Sequence, residues 1–290
     1  MSSPSLRSRP MPSRAPRRAA TDLRAPFFCR LDRDPSAHTA RAGTAVLDLE
    51  DSVAPGRKVA QRRAIAAALA RPLPEDVRVL VRCHGVRESE ELTRDLDASG
   101  VEALTGFVLP MVTDPDEVRA FDAQLQRLEE RRGLAAGRFE VHLLIEQPAA
   151  LLALEELARS STRVASLMFG REDFMACLPL ASGAAAAQAE RRLPLVAAAL
   201  GLPAVASPYC DVCDLPAFER YARRARDLGY QGVLTVHPAQ RAVAERVFTP
   251  SAREQRAARK VLASDPGVPV RLNDGRLVGP PMRRRARGLL

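Results

Sequence analysis

The chain has 290 residues, 46% of them hydrophobic, so it can bury one barrel-sized core or the cores of two ordinary domains. Its net charge of +9 comes from its ends, because residues 1–24 and 271–290 each hold six arginines and one aspartate. The 246 residues between them carry 32 basic and 33 acidic side chains, so specific nucleic-acid binding by a basic face of the folded part is not expected.

The hydropathy pattern of the sequence does not predict a secretion signal or a membrane span. No apolar run reaches the ~18 residues that a membrane span needs, so we expect a soluble protein without membrane association. Residues 1–24 are rich in serine, proline and arginine and lack an apolar core, which indicates a disordered basic tail rather than a secretion signal. The five scattered cysteines are typical of a cytoplasmic protein. Cys210 and Cys213 lack a second ligand pair for zinc, and we interpret them as incidental thiols.

Short apolar runs alternate with helical segments along most of the chain. The predicted strands are 27–29, 45–49, 77–82, 106–110, 140–145, 166–169, 204–206 and 232–236. The predicted helices are 36–41, 57–70, 88–98, 114–132, 148–159, an alanine-rich stretch ending at 200, 215–228, 239–247 and 252–263. Proline, glycine and acidic residues mark several of the helix ends.

The strand runs are continuous rather than alternating, which is expected when both faces of a parallel sheet are buried. Eight such strands alternating with helices predict an α/β fold, namely a (β/α)8 TIM barrel over residues 25–250. Residues 251–290 are predicted as a C-terminal helix and lid segment appended to the barrel. A doubly wound open sheet is the alternative.

Polar residues follow most of the predicted strands, at the ends where the active sites of (β/α)8 barrels lie. In chain order they are Glu50, Asp51, Arg82, His84, Glu146, Asp173, Ser207 and His237. Glu146 and Asp173 follow adjacent strands and suit Mg²⁺, which takes one or two protein carboxylates and completes its shell with water and substrate. Arg82 could bind a substrate carboxylate or stabilise an enolate. These groups together favour metal-assisted chemistry beside a carbonyl group.

Each of these residues also has a structural interpretation. Glu146 could cap the following helix, Asp173 could be a favourable acid in a first helical turn, and Arg82 could form a surface salt bridge. His84 and His237 are more often structural than catalytic residues. The coincidence of all these groups on one predicted face favours the functional interpretation.

A series of motifs gives this pattern a family likeness. The segment Leu47–Lys58, which reads LDLEDSVAPGRK, resembles a motif of the HpcH/HpaI aldolase and citrate lyase beta subunit family. Further segments resemble that family in the same order, over about residues 25–287: 81–84 (VRCH), 108–111 (VLPM), 144–147 (LIEQ), 169–174 (FGREDF), 208–214, 236–240 and 248–251.

The resemblance implies a TIM barrel, assembled as a homo-oligomer such as a trimer or hexamer, that uses Mg²⁺ or Mn²⁺. It implies carbon–carbon lyase activity on a small carboxylate, either a 3-hydroxy or 2-oxo acid, or on its acyl-CoA thioester, with CoA as part of the substrate. By position, Glu146 and Asp173 are implied as metal ligands, with Glu146 also at the substrate. Arg82 is implied as the catalytic group that binds the carboxylate and enolate, and Glu50 and Asp51 as acids that orient waters.

Four departures from the family pattern bear on activity. The segment after Phe28 lacks the usual Pro-Gly, His84 replaces a common asparagine, and Met111 replaces a common lysine. Gly279 stands where the lid motif of the CoA-lyase members carries an aspartate, which acts there as an acid–base group. These departures support an alternative hypothesis, in which the protein is a catalytically altered member that binds a metabolite or requires a partner subunit.

Overall fold

A computed structural model describes residues 23–31, 43–178, 180, 183–264, 269–271, 275 and 277–290. The short helix predicted over 36–41 and residues 1–22 of the predicted tail lie outside the described residues. The last two residues of that predicted tail belong to the folded part, since Leu23 is buried and the carbonyl of Arg24 accepts a hydrogen bond from Val233 N–H.

One parallel sheet organises the fold, and its strands follow chain order from β1 to β8. The strands are β1 Phe27–Cys29, β2 Gly43–Asp48, β3 Val77–Arg82, β4 Gly106–Leu109, β5 Glu140–Ile145, β6 Val164–Phe169, β7 Ala204–Ala206 and β8 Gly232–Val233. The sheet curls back on itself, because Phe28 N–H donates to Thr235 O and Thr235 N–H donates to Pro26 O, both at 2.9 Å. This arrangement fits the predicted (β/α)8 architecture, and the doubly wound alternative is wrong because the strand order never reverses.

Helices follow the strands as predicted, with two differences in detail. They are α1 Lys58–Leu69, α2 Ser89–Ser99, α3 Pro115–Arg132, α4 Pro148–Leu152, α5 Leu154–Arg159, α6 Arg171–Ala176, α7 Gly183–Ala199, α8 Leu215–Leu228, α9 Pro238–Phe248, α10 Ala252–Leu262 and α11 Pro280–Arg287. The single helix predicted over 148–159 is two helices, because the backbone of Ala153 leaves the helical region. A separate short helix, α6, follows β6 ahead of the alanine-rich α7. No helix among the described residues is long and apolar enough to cross a bilayer.

The two faces of each strand contribute to two different apolar clusters. Leu47, Val81 and Phe107 belong to the large cluster that includes the helices. The other face fills the inside of the curled sheet with one layer of side chains, namely Leu23, Val46, Leu80, Val108, Leu144, Met168, Val205 and Leu234. Because side chains alternate along a strand, the residues two positions after this layer also face inward, at the carboxyl ends of the strands.

The last helices form a separate arrangement after β8. Two short antiparallel strands, β9 Val270–Arg271 and β10 Leu277–Val278, precede α11, and Arg283 of α11 donates to the carbonyl of Val261 near the end of α10. Gly279 is the N-cap residue of α11. The role of this segment as a lid remains a prediction.

A buried ion-pair network joins α3 to the amino end of β6. Arg163 contacts both carboxylate oxygens of Glu129, at 2.6 and 2.7 Å, and Asp122 Oδ1 at 2.6 Å. Glu129 also accepts hydrogen bonds from the N–H groups of Gly137 and Phe139. Burial alone would raise the pKa of Glu129, but these hydrogen bonds outweigh it and the pKa is lowered.

Removing the cation of this network should destabilise the protein strongly. Arg163→Met leaves two carboxylates without their buried partner, so we expect the free energy of unfolding to fall by about 3–5 kcal/mol in urea denaturation. Arg223→Met is the control, because Arg223 is exposed and pairs with Glu219 of its own helix, and it should change stability by less than about 1 kcal/mol. Equal effects of the two substitutions would contradict this account.

The same network should make the protein sensitive to acid. A carboxyl group with a lowered pKa stabilises the fold above the unfolded pKa of about 4.3, and that stability is lost as the pH falls through the folded pKa. We therefore expect wild type to lose stability more steeply than Arg163→Met as the pH drops below about 4.3. Urea midpoints measured from neutral pH downward check this, and parallel curves for the two proteins would refute it.

Candidate active site

The register of two neighbouring strands brings opposite charges together. Asp48 at the end of β2 is aligned with Arg82 at the end of β3. Each lies two positions after an inward-facing residue, Val46 and Leu80, so both side chains enter the space above the inner apolar layer. The pleat therefore directs a carboxylate and a guanidinium to the same point.

Arg82 is fixed by two carboxylates and an aromatic ring. Its Nε and Nη2 donate to the two oxygens of Asp48 at 2.7 and 2.6 Å, which is the bidentate geometry. Its Nη1 lies 2.7 Å from Glu50 Oε2, and its guanidinium carbon lies 5.0 Å from the centre of the Phe28 ring. The surface salt bridge considered for Arg82 is therefore wrong, since its side chain is only 12% exposed and Asp48 is buried.

Sequence reasoning did not assign Asp48 as a site residue, although Asp48 makes the closest contacts to Arg82. It is buried to 1% exposure, and burial would raise its pKa, but Arg82 opposes this and the pKa is lowered. The sequence offered one signal for the pairing of Asp48 with Arg82, namely opposite charges near the ends of two consecutive predicted strands. Glu50 behaves differently, because burial raises its pKa to about 7 against the opposing effects of Arg82 and the Asp51 N–H.

Glu146 is a buried carboxylate held from two sides. Its Oε1 accepts a 2.6 Å hydrogen bond from Met111 N–H, and the residue is 2% exposed. On the other side, a Cβ at position 170 would lie 2.7 Å from both Oε2 and Cβ of Glu146, so only glycine fits there. Glu146 does not cap α4, whose N-cap residue is Gln147. Burial raises the pKa of Glu146 to about 8, with Glu50 and Asp173 adding repulsion.

Asp173 and Asp51 complete an acidic group around Arg82. Asp173 lies in the first turn of α6, which follows Gly170, and burial together with the charge of Asp51 raises its pKa. Asp51 is exposed at the rim. All five residues assigned from the sequence therefore interact at one place, at the carboxyl ends of the strands: Glu50, Asp51, Arg82, Glu146 and Asp173.

The donor set fits a hard divalent cation. Among the described residues, no three His, Cys, Asp or Glu side chains are arranged to bind a metal ion. Mg²⁺ needs only one or two protein carboxylates and completes its shell with water and substrate, so Glu146 and Asp173 are the residues that could hold it. Burial is the main cause of the raised pKa of both acids, and a bound cation would favour their charged forms.

His84, another predicted strand-end residue, lies beside this site without belonging to it. His84 is buried, with Nδ1 2.6 Å from Asp95 Oδ2 and Nε2 2.6 Å from Lys58 Nζ. Lys58 also donates to the carbonyls of Leu49 and Glu50, so this chain of contacts holds the loop that carries Glu50. Nothing in the sequence spacing identifies these contacts.

Ser207 and His237 have local structural roles. Ser207 Oγ accepts from the N–H of Arg171 at 3.0 Å and so fixes the start of α6. His237 is exposed and its Nδ1 accepts from Ala239 N–H as the N-cap of α9. Cys210 and Cys213 are exposed free thiols, as interpreted from the sequence.

Comparison with known proteins identifies the family of this chain. The family model for HpcH/HpaI aldolase/citrate lyase matches residues 35–238. The chain belongs to this family. An L-malyl-CoA/beta-methylmalyl-CoA lyase of Cereibacter sphaeroides is 32% identical over 244 residues, which is 75% of each chain. Citrate lyase subunit beta of Escherichia coli is 27% identical over 257 residues, covering 86% of this chain and 85% of the relative.

Solved structures of the family agree with the fold. The Mycobacterium tuberculosis protein CitE in complex with magnesium, acetoacetate and coenzyme A is 25% identical, with a TM-score of 0.72 over 91% of this chain and 96% of that one. A citrate lyase from Burkholderia xenovorans, 22% identical, has a TM-score of 0.78 over 91% of this chain and 90% of that one, which supports the fold alone. Every site residue assigned above lies within the stretch that matches the HpcH/HpaI family model, whereas Gly279 lies outside it.

The close packing of residue 170 against Glu146 can be tested directly. Gly170→Ala leaves the backbone unstrained, since its φ is −106°, but its Cβ would overlap Glu146. We expect the free energy of unfolding to fall by about 1–3 kcal/mol because Glu146 must move. Gly56→Ala is the control, because nothing lies within 4 Å of that position. Equal stability of the two variants in urea denaturation would contradict the packing.

Proposed function

We propose that this protein is a carbon–carbon lyase that depends on Mg²⁺ or Mn²⁺ and acts on a small 3-hydroxy or 2-oxo acid or on its CoA thioester. The proposal rests chiefly on one observation: Arg82, oriented by Asp48 and Glu50, lies within electrostatic reach of the buried Glu146 and the half-buried Asp173. A fixed guanidinium beside two carboxylates suits cleavage next to a carbonyl group, because negative charge develops on oxygen there.

Glu146 and Asp173 would hold the divalent cation, which supplies Lewis-acid polarisation of a substrate oxygen when bound. Arg82 would bind a substrate carboxylate and stabilise the developing enolate oxygen. Two of the guanidinium's five N–H groups donate to Asp48, and Nη1 lies 2.7 Å from Glu50 Oε2, so the N–H groups that do not face these acids could bind the substrate. Since those partners fix the guanidinium plane, the remaining N–H groups have a defined direction before substrate arrives.

Glu50 is the group best suited to move a proton. Its pKa of about 7 is near that of an efficient acid–base catalyst at neutral pH, and its Oε2 lies against Arg82 at the centre of the site. Asp51 at the rim would accept hydrogen bonds from water and carry the proton path outward. Gly279 supplies no acid from the C-terminal segment, so the barrel's own carboxylates would carry this step.

The relatives define the substrate class to be tested. Curated relatives are named as lyases of malyl-CoA, methylmalyl-CoA and citrate, and the CitE structure holds acetoacetate with coenzyme A. We extend this to the present chain as a cytoplasmic homo-oligomer that accepts a small carboxylate, free or joined to CoA.

Removing either proposed metal ligand should abolish metal binding. In isothermal titration with Mn²⁺, Glu146→Gln and Asp173→Asn should each weaken affinity by at least about tenfold, because each removes a charged ligand. Glu172→Gln is the matched control, since Glu172 is exposed and adjacent to Asp173, and it should bind Mn²⁺ like wild type. Undiminished affinity in Glu146→Gln would refute the metal assignment.

A substrate panel separates the lyase from the alternative hypothesis of a metabolite-binding or partner-dependent subunit. The missing lid acid at Gly279 is the observation that favours this second candidate. Wild type with Mg²⁺ would be assayed on malyl-CoA, citryl-CoA and oxaloacetate, with Arg82→Gln as the inactive control. Cleavage lost in Arg82→Gln supports the lyase, whereas tight binding of a compound without any cleavage supports the second candidate.

A further inference from the structure

The backbone of Met111 has an unusual conformation at the edge of the site. Its φ is +57°, and it is the one non-glycine residue with positive φ among those the structure describes. Left-handed backbone is disfavoured for a residue with a Cβ, and such residues persist where the surrounding structure requires them. The left-handed backbone of Met111 therefore requires a structural reason, namely a contact that this conformation makes possible.

The conformation directs the Met111 N–H at Glu146. The N–H donates to Oε1 at 2.6 Å, a short hydrogen bond to a carboxyl group that is 2% exposed. Met111 is the second residue after the end of β4. Pro110, which lies between them, has no N–H to donate. In this turn the amide of residue 111 is therefore the first that follows the strand and can serve Glu146.

The Met111 side chain gives no comparable reason for the conformation. It is 41% exposed, and its sulfur accepts only a weak 3.5 Å contact from the Gln147 side-chain amide. The backbone N–H, rather than the thioether, is therefore the part of this residue that acts on the site.

We propose that Met111 is a positioning residue, whose left-handed backbone holds Glu146 Oε1 and so fixes the orientation in which this carboxyl group would bind a divalent cation. Gly170 limits Glu146 on the side of Cβ and Oε2, and the one hydrogen bond that Glu146 accepts within the described residues goes to Oε1. A hydrogen bond to one oxygen together with close packing beside the other restricts the rotation of a carboxyl group and so orients it as a ligand. This inference rests on the proposed function, because it takes Glu146 as a metal ligand.

Two substitutions at position 111 separate the N–H from the side chain. Glycine keeps the N–H and adopts positive φ without strain, so Met111→Gly should bind Mn²⁺ within about twofold of wild type and unfold at a higher urea concentration. Proline removes the N–H and fixes φ near −65°, so Met111→Pro should bind Mn²⁺ at least about tenfold more weakly. Wild-type affinity in a folded Met111→Pro protein, or a loss of affinity in Met111→Gly, would overturn the proposal.

A measurement on the intact protein does not depend on how Met111→Pro folds. The chain has six methionines, so selective ¹⁵N-methionine labelling gives a sparse NMR spectrum in which the Met111 amide is assigned as the signal missing from Met111→Gly. Without metal, Glu146→Gln should shift this amide signal, because a carboxamide replaces the carboxyl group as its acceptor, while Glu172→Gln should leave it unchanged. An unshifted amide in Glu146→Gln would overturn the proposal.

Adding Mg²⁺ to the same sample distinguishes this inference from the proposed function. A shift of the Met111 amide with Mg²⁺ in wild type, absent in Glu146→Gln, supports both. If wild type shows no Mg²⁺ response although the metal-free shift by Glu146→Gln is present, the hydrogen bond stands and the metal assignment fails. In that case the positioning role toward a cation is overturned together with it.

Discussion

The pairing of Arg82 with Asp48 is the interaction around which the site is arranged. A guanidinium that is largely removed from water is unfavourable unless it is paired, and Asp48 pairs it with two parallel hydrogen bonds across the ends of β2 and β3. This geometry also fixes the plane in which the remaining N–H groups point. Because both residues are set by the register of neighbouring strands, the sheet itself, rather than a loop, determines the direction of the positive charge.

The acids near this pair are placed at a cost to stability. Glu146 is buried with one backbone N–H as its hydrogen-bond partner among the described residues, and it lies within the electrostatic reach of Glu50 and Asp173. Such an arrangement raises the free energy of the folded chain, in contrast to Glu129, whose carboxylate has a guanidinium and two N–H groups. This contrast supports the proposal that Glu146 serves binding. The same contrast explains why the two groups have pKa values shifted in opposite directions.

Much of the fold follows from local patterns, and the site follows only in part. The apolar runs indicated all eight strands because both faces of a parallel sheet are buried, and the polar residues after them indicated the end of the sheet where these side chains meet. The sequence could not show that Asp48, rather than Glu50, makes the bidentate contact, since that depends on which of two nearby acids faces inward. The contacts of His84 with Lys58 and Asp95, and of the Met111 N–H with Glu146, join segments that are distant in the chain. Residue spacing along the sequence does not predict such contacts.

The position of Gly279 bears on where acid–base chemistry can occur. Gly279 has no side chain to offer and serves as the N-cap of α11, so this residue cannot donate a proton to any site. Acid–base chemistry would then rely on other acids, and those around Arg82 are the candidates within the described residues. Asp48 is unsuitable because its pKa is lowered by Arg82, and Asp51 is exposed to water at the rim. Glu50 combines a pKa of about 7 with direct contact to the guanidinium, so the proposed acid–base role falls best on the loop that Lys58 and His84 hold.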